Sequence, residues 1–356
     1  MAQTWIRSFP AEHWRGSGEQ KFKKKLQTSL GKVEVPKVHV LMNAGGKFNI
    51  SSFMQEQMCF MGQQKVFEEG AESFQRFMGI EVNAKQIERI CHYYGDRIEQ
   101  IQQQAIRHGG KDKKNNIQYP YYAMVDGGML LTREEKWKEM KLGRIFKTDE
   151  AVGISKDRRF IANSLYVAHL GKHEDFIKKV EYHLDSVRNK IFIADGARWI
   201  WGWATAAYPD ARQVLDFYHA KEHLCQFALM AIPSDIERKE WVEKQSDLLL
   251  ENHVEQVISN LKRMSARKPM VNKTRKNLID YYETNKHRMQ YKSLRDEGLL
   301  IGSGPIEAAH RNVIQQRMKL SGQRWTMNGA QQMANLRVAY KSRQWNKVTQ
   351  LIKKAA

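Results

Sequence analysis

The chain has 356 residues, and 59 lysines and arginines against 39 aspartates and glutamates give it a formal net charge of +20. This excess predicts a polyanionic partner, nucleic acid in the first instance, and no apolar run is long enough to predict a membrane span. The only cysteines are Cys59, Cys91 and Cys225, with no CxxC pair. This argues against a disulfide framework or a Cys-rich zinc site and favours a reducing cytoplasm.

The N-terminal third is predicted to contain a basic arm (1–30), a mostly helical DNA-binding domain (31–107) and a linker rich in Gly, Lys and Asn (108–119). VEVPKVHVLMN alternates as an edge strand interrupted by Pro36, and three helices follow, the last capped by Asn83. The helices resemble a helix-turn-helix with Lys85, Gln86 and Arg89 available to DNA. The alternative is a trihelical core that binds nothing.

Residues 120–220 change to an α/β pattern. Three successive strands are predicted in YYAMVDGGML, WKEMKLGRIFKT and RFIANSLYVAHL, followed by helix, strand (KIFIAD), helix and strand (ARQVLDFY). This order predicts a mixed sheet with helices on both faces. A wholly helical insertion domain (221–300) then precedes a last segment (301–356) with basic helices.

Three acids occupy positions that folding alone does not demand. Asp126 and Asp195 each end an apolar run, where an unpaired carboxylate is costly, and Glu307 follows Gly304 and Pro305. Each has a structural alternative, as a turn aspartate or as a glutamate at N3 of a helix. Together, on neighbouring strands and a helix packed across them, they would suit two Mg²⁺ ions, with Mn²⁺ as a substitute.

Basic residues follow the last acid. From position 307 onward there are ten lysines and arginines against one acid, and Arg311, Arg317, Lys319 and Arg324 are predicted to contact phosphates. Arg311 has an alternative role in an ion pair with Glu307 four residues earlier. Trp325 is predicted to stack on DNA bases or, alternatively, to belong to the core.

Three long strings carry a family resemblance: VDGGMLLTREEKWKEMKLGRIFKT, FIADGARWIWGWATAAYPDARQVLDFYHAKEHL and GLLIGSGPIEAAHRNVIQQRMKLSGQRW. They resemble the DDE-type transposases of bacterial insertion sequences, nearest to the Kra type with the Lre type close by. The resemblance implies a ribonuclease H-like domain interrupted by a helical insertion, with Asp126, Asp195 and Glu307 as catalytic acids. LDFYHA also resembles the Asp-x-x-His signature of related transposases.

That signature falls on Asp216 and His219, and DNA positioning near the active site is the role that it implies for them. For His219 the residues alone allow a structural histidine, or a metal pair with His223. The N-terminal part departs from relatives that carry a Cys-rich, zinc-binding segment. Recognition of terminal repeats would then fall to the helical block and the basic arm.

The resemblance implies a Mg²⁺-dependent reaction in which water cuts the element end and the released 3′-hydroxyl attacks target DNA. The partners would be double-stranded terminal inverted repeats and target DNA, bound by a homodimer or larger assembly in the prokaryotic cytoplasm at the nucleoid. Two alternatives stay open. One is a non-catalytic DNA-binding regulator derived from a transposase, and the other is a ribonuclease H-like nuclease or resolvase that cuts without joining.

Overall fold

The computed structural model describes residues 23–28, 31–36, 46–48, 50–109, 117–155, 158–265 and 268–355. At its start, strand β1 (Lys23–Thr28) pairs antiparallel with β2 (Gly31–Pro36). The basic stretch that we assigned to an arm is therefore a strand over residues 23–28, and the following strand ends at Pro36, which cannot donate a ladder hydrogen bond. Most of the predicted arm and residues 110–116 of the predicted linker lie outside the described residues.

The helical block consists of α1 (Ser52–Gln64), α2 (Phe67–Met78) and α3 (Ala84–Gly109), as predicted. The predicted cap of α3 is confirmed, because the Asn83 side-chain oxygen accepts the Lys85 amide at 2.7 Å. One face of α3 is buried at helical spacing, which packs it against the other two helices. Its buried residues include Ile87, Ile90, Cys91 and Tyr94.

The predicted mixed sheet is present and has five strands. They are β3 (Tyr121–Thr132), β4 (Lys136–Lys147), β7 (Leu165–Leu170), β8 (Lys190–Ala194) and β9 (Arg212–Leu215). Their order is β7-β4-β3-β8-β9, so the first strand along the chain is central. β3 pairs antiparallel with β4 and parallel with β8, while β4–β7 is antiparallel and β8–β9 parallel.

The third predicted strand, RFIANSLYVAHL, was wrong as a single unit. Its first part is β6 (Arg158–Ile161), which forms a separate two-stranded hairpin with β5 (Ala151–Ser155). The strand pattern breaks at Asn163 and Ser164, whose side chains bond outside the ladder. Asn163 donates to the Glu150 carboxylate, and the Ser164 hydroxyl accepts from Arg144 at 2.9 Å. Only the second part, β7, joins the main sheet.

Both faces of the sheet are covered, as the helix–strand order predicted. On one face, helix α4 (His173–Leu184) packs Phe176 and Val180 within 3.4 Å of where a side chain at Gly143 would begin. Arg144 is the next residue on β4 and therefore points to the other face. There its guanidinium donates to the Pro305 carbonyl at 2.7 Å, at the start of the helical segment that carries Glu307.

Apart from three short 3₁₀ turns (Gly46–Phe48, Thr148–Glu150 and Lys286–Arg288), the remaining described elements are α-helices and one π-helical turn. They are α5 (Arg198–Ala207), α6 (Phe217–Ala231), α7 (Asp235–Leu250), α8 (Val254–Arg263), α9 (Pro269–Asn285), α10 (Tyr291–Asp296), α11 (Gly304–Ala309), a π-helical turn (His310–Gln315), α12 (Gln316–Met318), α13 (Met327–Lys341) and α14 (Trp345–Ala355). Residues 219–265 and 268–300 contain no strand, as predicted. None of the described helices is long and apolar enough to cross a membrane.

Two buried arginines join the C-terminal helices to the N-terminal block through backbone carbonyls. Arg337 donates to the carbonyls of Asn312 and Val313 in the π-helical turn and to that of Gln63 in α1. Arg317 donates to the Gly62 carbonyl at 2.9 Å. Burial lowers the pKa of each guanidinium to about 10, so both stay charged at neutral pH. The arginine guanidinium has five N–H donors in a fixed plane, which suits bonds to carbonyls in this geometry. The compact ammonium group of a lysine does not.

Replacing Arg337 by lysine is expected to destabilise the fold by at least about 2 kcal/mol, since carbonyls at both ends of the joint lose their donor while the charge stays buried. Urea unfolding would measure the change, with the exposed helical Arg89→Lys as the matched control, expected within about 0.5 kcal/mol of the parent protein. Equal effects for the two variants would contradict a structural role of the Arg337 fork.

Candidate active site

Asp126 on β3 and Asp195 directly after β8 lie at matching positions of two paired strands. β3 and β8 pair in parallel register with Met124 opposite Ile193, and each aspartate follows its member of that pair by two residues. The Asp126 side chain is about one third exposed, and its Oδ1 accepts the Gly127 amide at 2.7 Å. Asp195 Oδ1 accepts the Ala197 amide at 3.0 Å. The prediction that these acids occupy neighbouring strands is confirmed.

A histidine that we did not select from the sequence faces Asp126. The Nε2 atom of His310 lies 3.7 Å from Asp126 Oδ2, and His310 is only 4% exposed. It follows Glu307 by three residues and so lies on the same side of the helical segment. This Glu-x-x-His spacing in IEAAHRN was the available signal. That spacing alone does not indicate that His310 faces Asp126, because the register of a helix against a sheet is not visible in sequence.

Charges around Asp126 oppose each other. Burial raises the pKa of Asp126 above its ordinary value, and the nearby charges of Asp195 and Glu139 act in the same direction. The charge of His310 and the hydrogen bond from the Gly127 amide lower the pKa of Asp126. Burial is the largest of these effects, so the net shift is upward. Glu139 on β4 is a further acid that we had not predicted here. It also pairs with Lys141 at 2.6 Å.

Glu307 is exposed and belongs to α11, which packs against β3 and β4. Helix α11 begins one residue earlier than expected, with Ser303 at the N-cap, so Glu307 is its fourth residue rather than N3. The alternative ion pair between Glu307 and Arg311 is not among the salt bridges of the described residues. The site therefore has Asp126 and Asp195 on neighbouring strands, and Glu307 lies about one helical turn before His310, the histidine that faces Asp126.

A series of hydrogen bonds fixes the segment that leads into α11. The Leu300 amide donates to the Tyr122 hydroxyl at 2.9 Å, the Phe217 amide to the Ile301 carbonyl at 3.0 Å, and the Ser303 hydroxyl to Asp216. Asp216 is 3% exposed and also caps helix α6, accepting the Tyr218 amide at 2.8 Å. In this structure the buried Asp216, which lies between β9 and α6, thus connects these elements by hydrogen bonds to the segment that leads to Glu307.

His219 lies beside an aromatic group from the insertion. Its ring is 4.7 Å from that of His223, which is 4.6 Å from Tyr281 on α9. A side chain at Gly196, directly after Asp195, would clash with the Tyr281 ring. The insertion therefore covers the Asp195 loop closely. Burial lowers the pKa of His223, and the neighbouring His219 acts in the same direction.

The predicted DNA-contact residues divide by exposure. Arg311, Lys319 and Arg324 are exposed, as are Lys85 and Arg89, while Gln86 is half-buried and Lys85 pairs with Glu88 at 2.6 Å. Direct DNA contact by Arg317 and Trp325 does not fit the structure, because they are 1% and 6% exposed. The Arg317 guanidinium instead lies 5.2 Å from the Trp325 ring, whose Nε1 donates to the Met318 carbonyl at 2.9 Å. Both belong to the core.

A protein-family model matches residues 65–354, a span that includes the sheet, the insertion and all three acids. The chain belongs to the family described as Uncharacterised protein family (UPF0236). No curated protein matches it. The N-terminal hairpin and the whole of α1 precede the matched span, which begins just before α2 and contains the fold that carries the acids.

The raised pKa of Asp126 predicts a pH-dependent stability effect. A group whose pKa is raised on folding destabilises the fold when it ionises, so Asp126→Asn should unfold at a higher temperature than the parent protein at pH 7 in the absence of metal. The difference should vanish as the pH falls below the ordinary aspartate range near about 4. Thermal unfolding across pH would measure it.

The control has the opposite sign. A hydrogen bond from Lys178 lowers the pKa of Asp175, so Asp175→Asn should lose stability at pH 7 and match the parent protein at low pH. Identical pH profiles for the two variants would contradict the environment that we describe for Asp126.

Proposed function

We propose that the chain is a DNA transposase of the DDE type, which cuts DNA at element ends and joins the 3′-hydroxyl to target DNA. The observation that carries the proposal is the shared register of Asp126 and Asp195 on adjacent strands beneath the helical segment of Glu307. The chain is also strongly basic, with a net charge of +20, as a DNA-binding enzyme should be.

The fold is compatible with this proposal. The five-stranded mixed sheet has β3, the first of its strands along the chain, at its centre. Asp126 lies on β3, and Asp195 lies directly after the neighbouring strand β8. A ribonuclease H-like domain interrupted before its last acid is what the family resemblance implied. The helices between β9 and α11 occupy the place of that interruption.

The donor set fits a hard divalent cation in kind, since carboxylate oxygens are the ligands that Mg²⁺ and Mn²⁺ accept. Among the described residues, no three His, Cys, Asp or Glu side chains already lie together as a group that could hold a metal ion, so the proposal requires Glu307 to turn its carboxylate toward the two aspartates when an ion binds. Asp126 and Asp195 would supply the adjoining oxygens, and Glu307 the third carboxylate. Two such ions, when bound, would stabilise charge on the attacking and leaving oxygens of a phosphoryl transfer.

Exposed cations that follow Glu307 in the chain would hold the substrate. Arg311, Lys319 and Arg324 follow Glu307 in the chain and are exposed, so they are available to phosphate oxygens. Asp216 would contribute only indirectly, by fixing the segment that leads into α11. No serine or tyrosine nucleophile is required, because water and then the DNA 3′-hydroxyl attack phosphorus in turn.

Asp126→Asn, Asp195→Asn and Glu307→Gln should each abolish Mg²⁺-dependent cleavage of DNA fragments that flank the coding sequence, because each loses a carboxylate donor. The matched control is Glu174→Gln, an exposed acid on the opposite face of the sheet, which should cut normally. Full cleavage by Asp126→Asn would refute the assignment of the acids.

The same assay separates the alternatives by product. Joined strand-transfer DNA supports a transposase, whereas cut DNA without joining identifies a nuclease or resolvase. Specific binding by the parent protein without any cleavage identifies a regulator. Glu307→Gln alone tests whether the third carboxylate belongs to the site, since no side-chain hydrogen bond or salt bridge among the described residues holds Glu307.

The exposed cations give a second prediction. A variant with Arg311, Lys319 and Arg324 changed to alanine should bind duplex DNA with a shallower salt dependence, by roughly 0.9 in log K per log salt for each lost phosphate contact. Lys172, Lys178 and Arg188, exposed on or beside the helix of the other face, form the control triple. An unchanged slope in the first variant would exclude this surface as the DNA path.

A further inference from the structure

His310 has an unexplained environment. It begins the π-helical turn, is 4% exposed, and neither ring nitrogen has a hydrogen-bond partner among the described residues. A buried polar group without a partner destabilises the fold, so such groups usually have a structural or functional reason. The ring nitrogen Nε2 faces a carboxylate oxygen, Asp126 Oδ2, at 3.7 Å.

The ring of His310 is held in place from two sides. A side chain at Gly128 would come within 3.0 Å of Nδ1 and 3.1 Å of Cε1, so the ring packs directly on the β3 backbone. On the helical side, the carbonyls of Asn312 and Val313 in the same turn are bonded to the buried Arg337. The imidazole therefore has little freedom, whereas the partly exposed Asp126 side chain can rotate.

Asp126 is already fixed at one oxygen. Its Oδ1 accepts the Gly127 amide at 2.7 Å, which leaves Oδ2 directed at His310. The 3.7 Å separation is longer than a hydrogen bond of about 2.7–3.2 Å, and a small rotation of the carboxylate would close it. The two oxygens would then be held by one donor each, with their remaining lone pairs free for an ion.

We propose that His310 is a positioning residue of the acidic site: its Nε2–H donates to Asp126 Oδ2 and fixes the orientation in which Asp126 binds a divalent cation. The inference rests on the proposed function, since it assumes that Asp126 is a metal ligand. Donors to metal-binding carboxylates orient them, and losing such a donor typically costs roughly 10–100-fold in metal affinity or activity.

Binding of Mn²⁺ to the full-length protein without DNA, followed by the EPR signal of the free ion, tests this directly. His310→Leu removes the donor at similar volume and should weaken Mn²⁺ binding by roughly 10-fold or more. His310→Gln places an amide donor near the position of Nε2 and should recover most of the affinity. Gly128→Ala leaves His310 intact but displaces its ring, and should weaken binding as His310→Leu does.

The control is His169→Leu, which removes a histidine on β7 that also has a buried ring nitrogen without a hydrogen-bond partner. It should leave Mn²⁺ binding unchanged, and thermal unfolding of every variant would separate lost affinity from lost fold. Rescue by His310→Gln is the result that a purely structural histidine would not give.

Three results would overturn the inference. His310→Leu could bind Mn²⁺ as tightly as the parent protein while Asp126→Asn does not, which would leave the metal site intact and remove only His310 from it. Nitrogen coupling in the EPR spectrum of bound Mn²⁺, lost in His310→Leu, would make His310 a direct ligand instead. Equal Mn²⁺ binding by the parent protein and Asp126→Asn would refute the metal site itself, and with it the proposed function.

Discussion

Buried arginines bonded to backbone carbonyls hold the last segment of this protein in place. Arg144 binds the carbonyl at the start of α11, Arg337 binds two carbonyls of the π-helical turn, and Arg317 binds the end of α1. Each bond joins parts of the chain that are distant in sequence or on different elements. A buried guanidinium must satisfy several donors, so it requires a well-defined arrangement of acceptors around it. The position of Glu307 and His310 depends on that arrangement.

Two kinds of interaction fix the positions of the residues in the candidate site. Asp126 and Asp195 are related by strand register, which backbone hydrogen bonds fix, and a slip of one residue would point a carboxylate to the other face. Glu307 and His310 arrive after the helical insertion, and their placement depends on side chains: Asp216 holding Ser303, Arg144 holding Pro305, and Gly128 leaving room for the imidazole. Damage to any of these contacts would act on the acids indirectly, without removing a carboxylate.

Periodicity was sufficient for most of the fold. The helices of the N-terminal block and the insertion, the central strands and the neighbouring aspartates all follow from local apolar spacing. The prediction was wrong where a side chain bonded outside the local pattern, as at Asn163 and Ser164, which split one predicted strand between two sheets. It was also wrong for Arg317, because a count of basic residues does not distinguish a cation on the surface from one that stacks in the core, whereas for Trp325 the alternative of a core position is the one that fits.

The sequence by itself determined the α/β class, the order of helices and strands in the main sheet, the basic character and the presence of an acid in or directly after each of two buried apolar runs, because these depend on residue type and short-range spacing. Only the tertiary structure decided which side chains meet. It brought His310 to Asp126, buried Asp216 against Ser303, and placed Tyr281 of the insertion over the loop after Asp195. Those contacts depend on how a helix is rotated against a sheet, and that rotation is set by long-range packing and by the buried arginines.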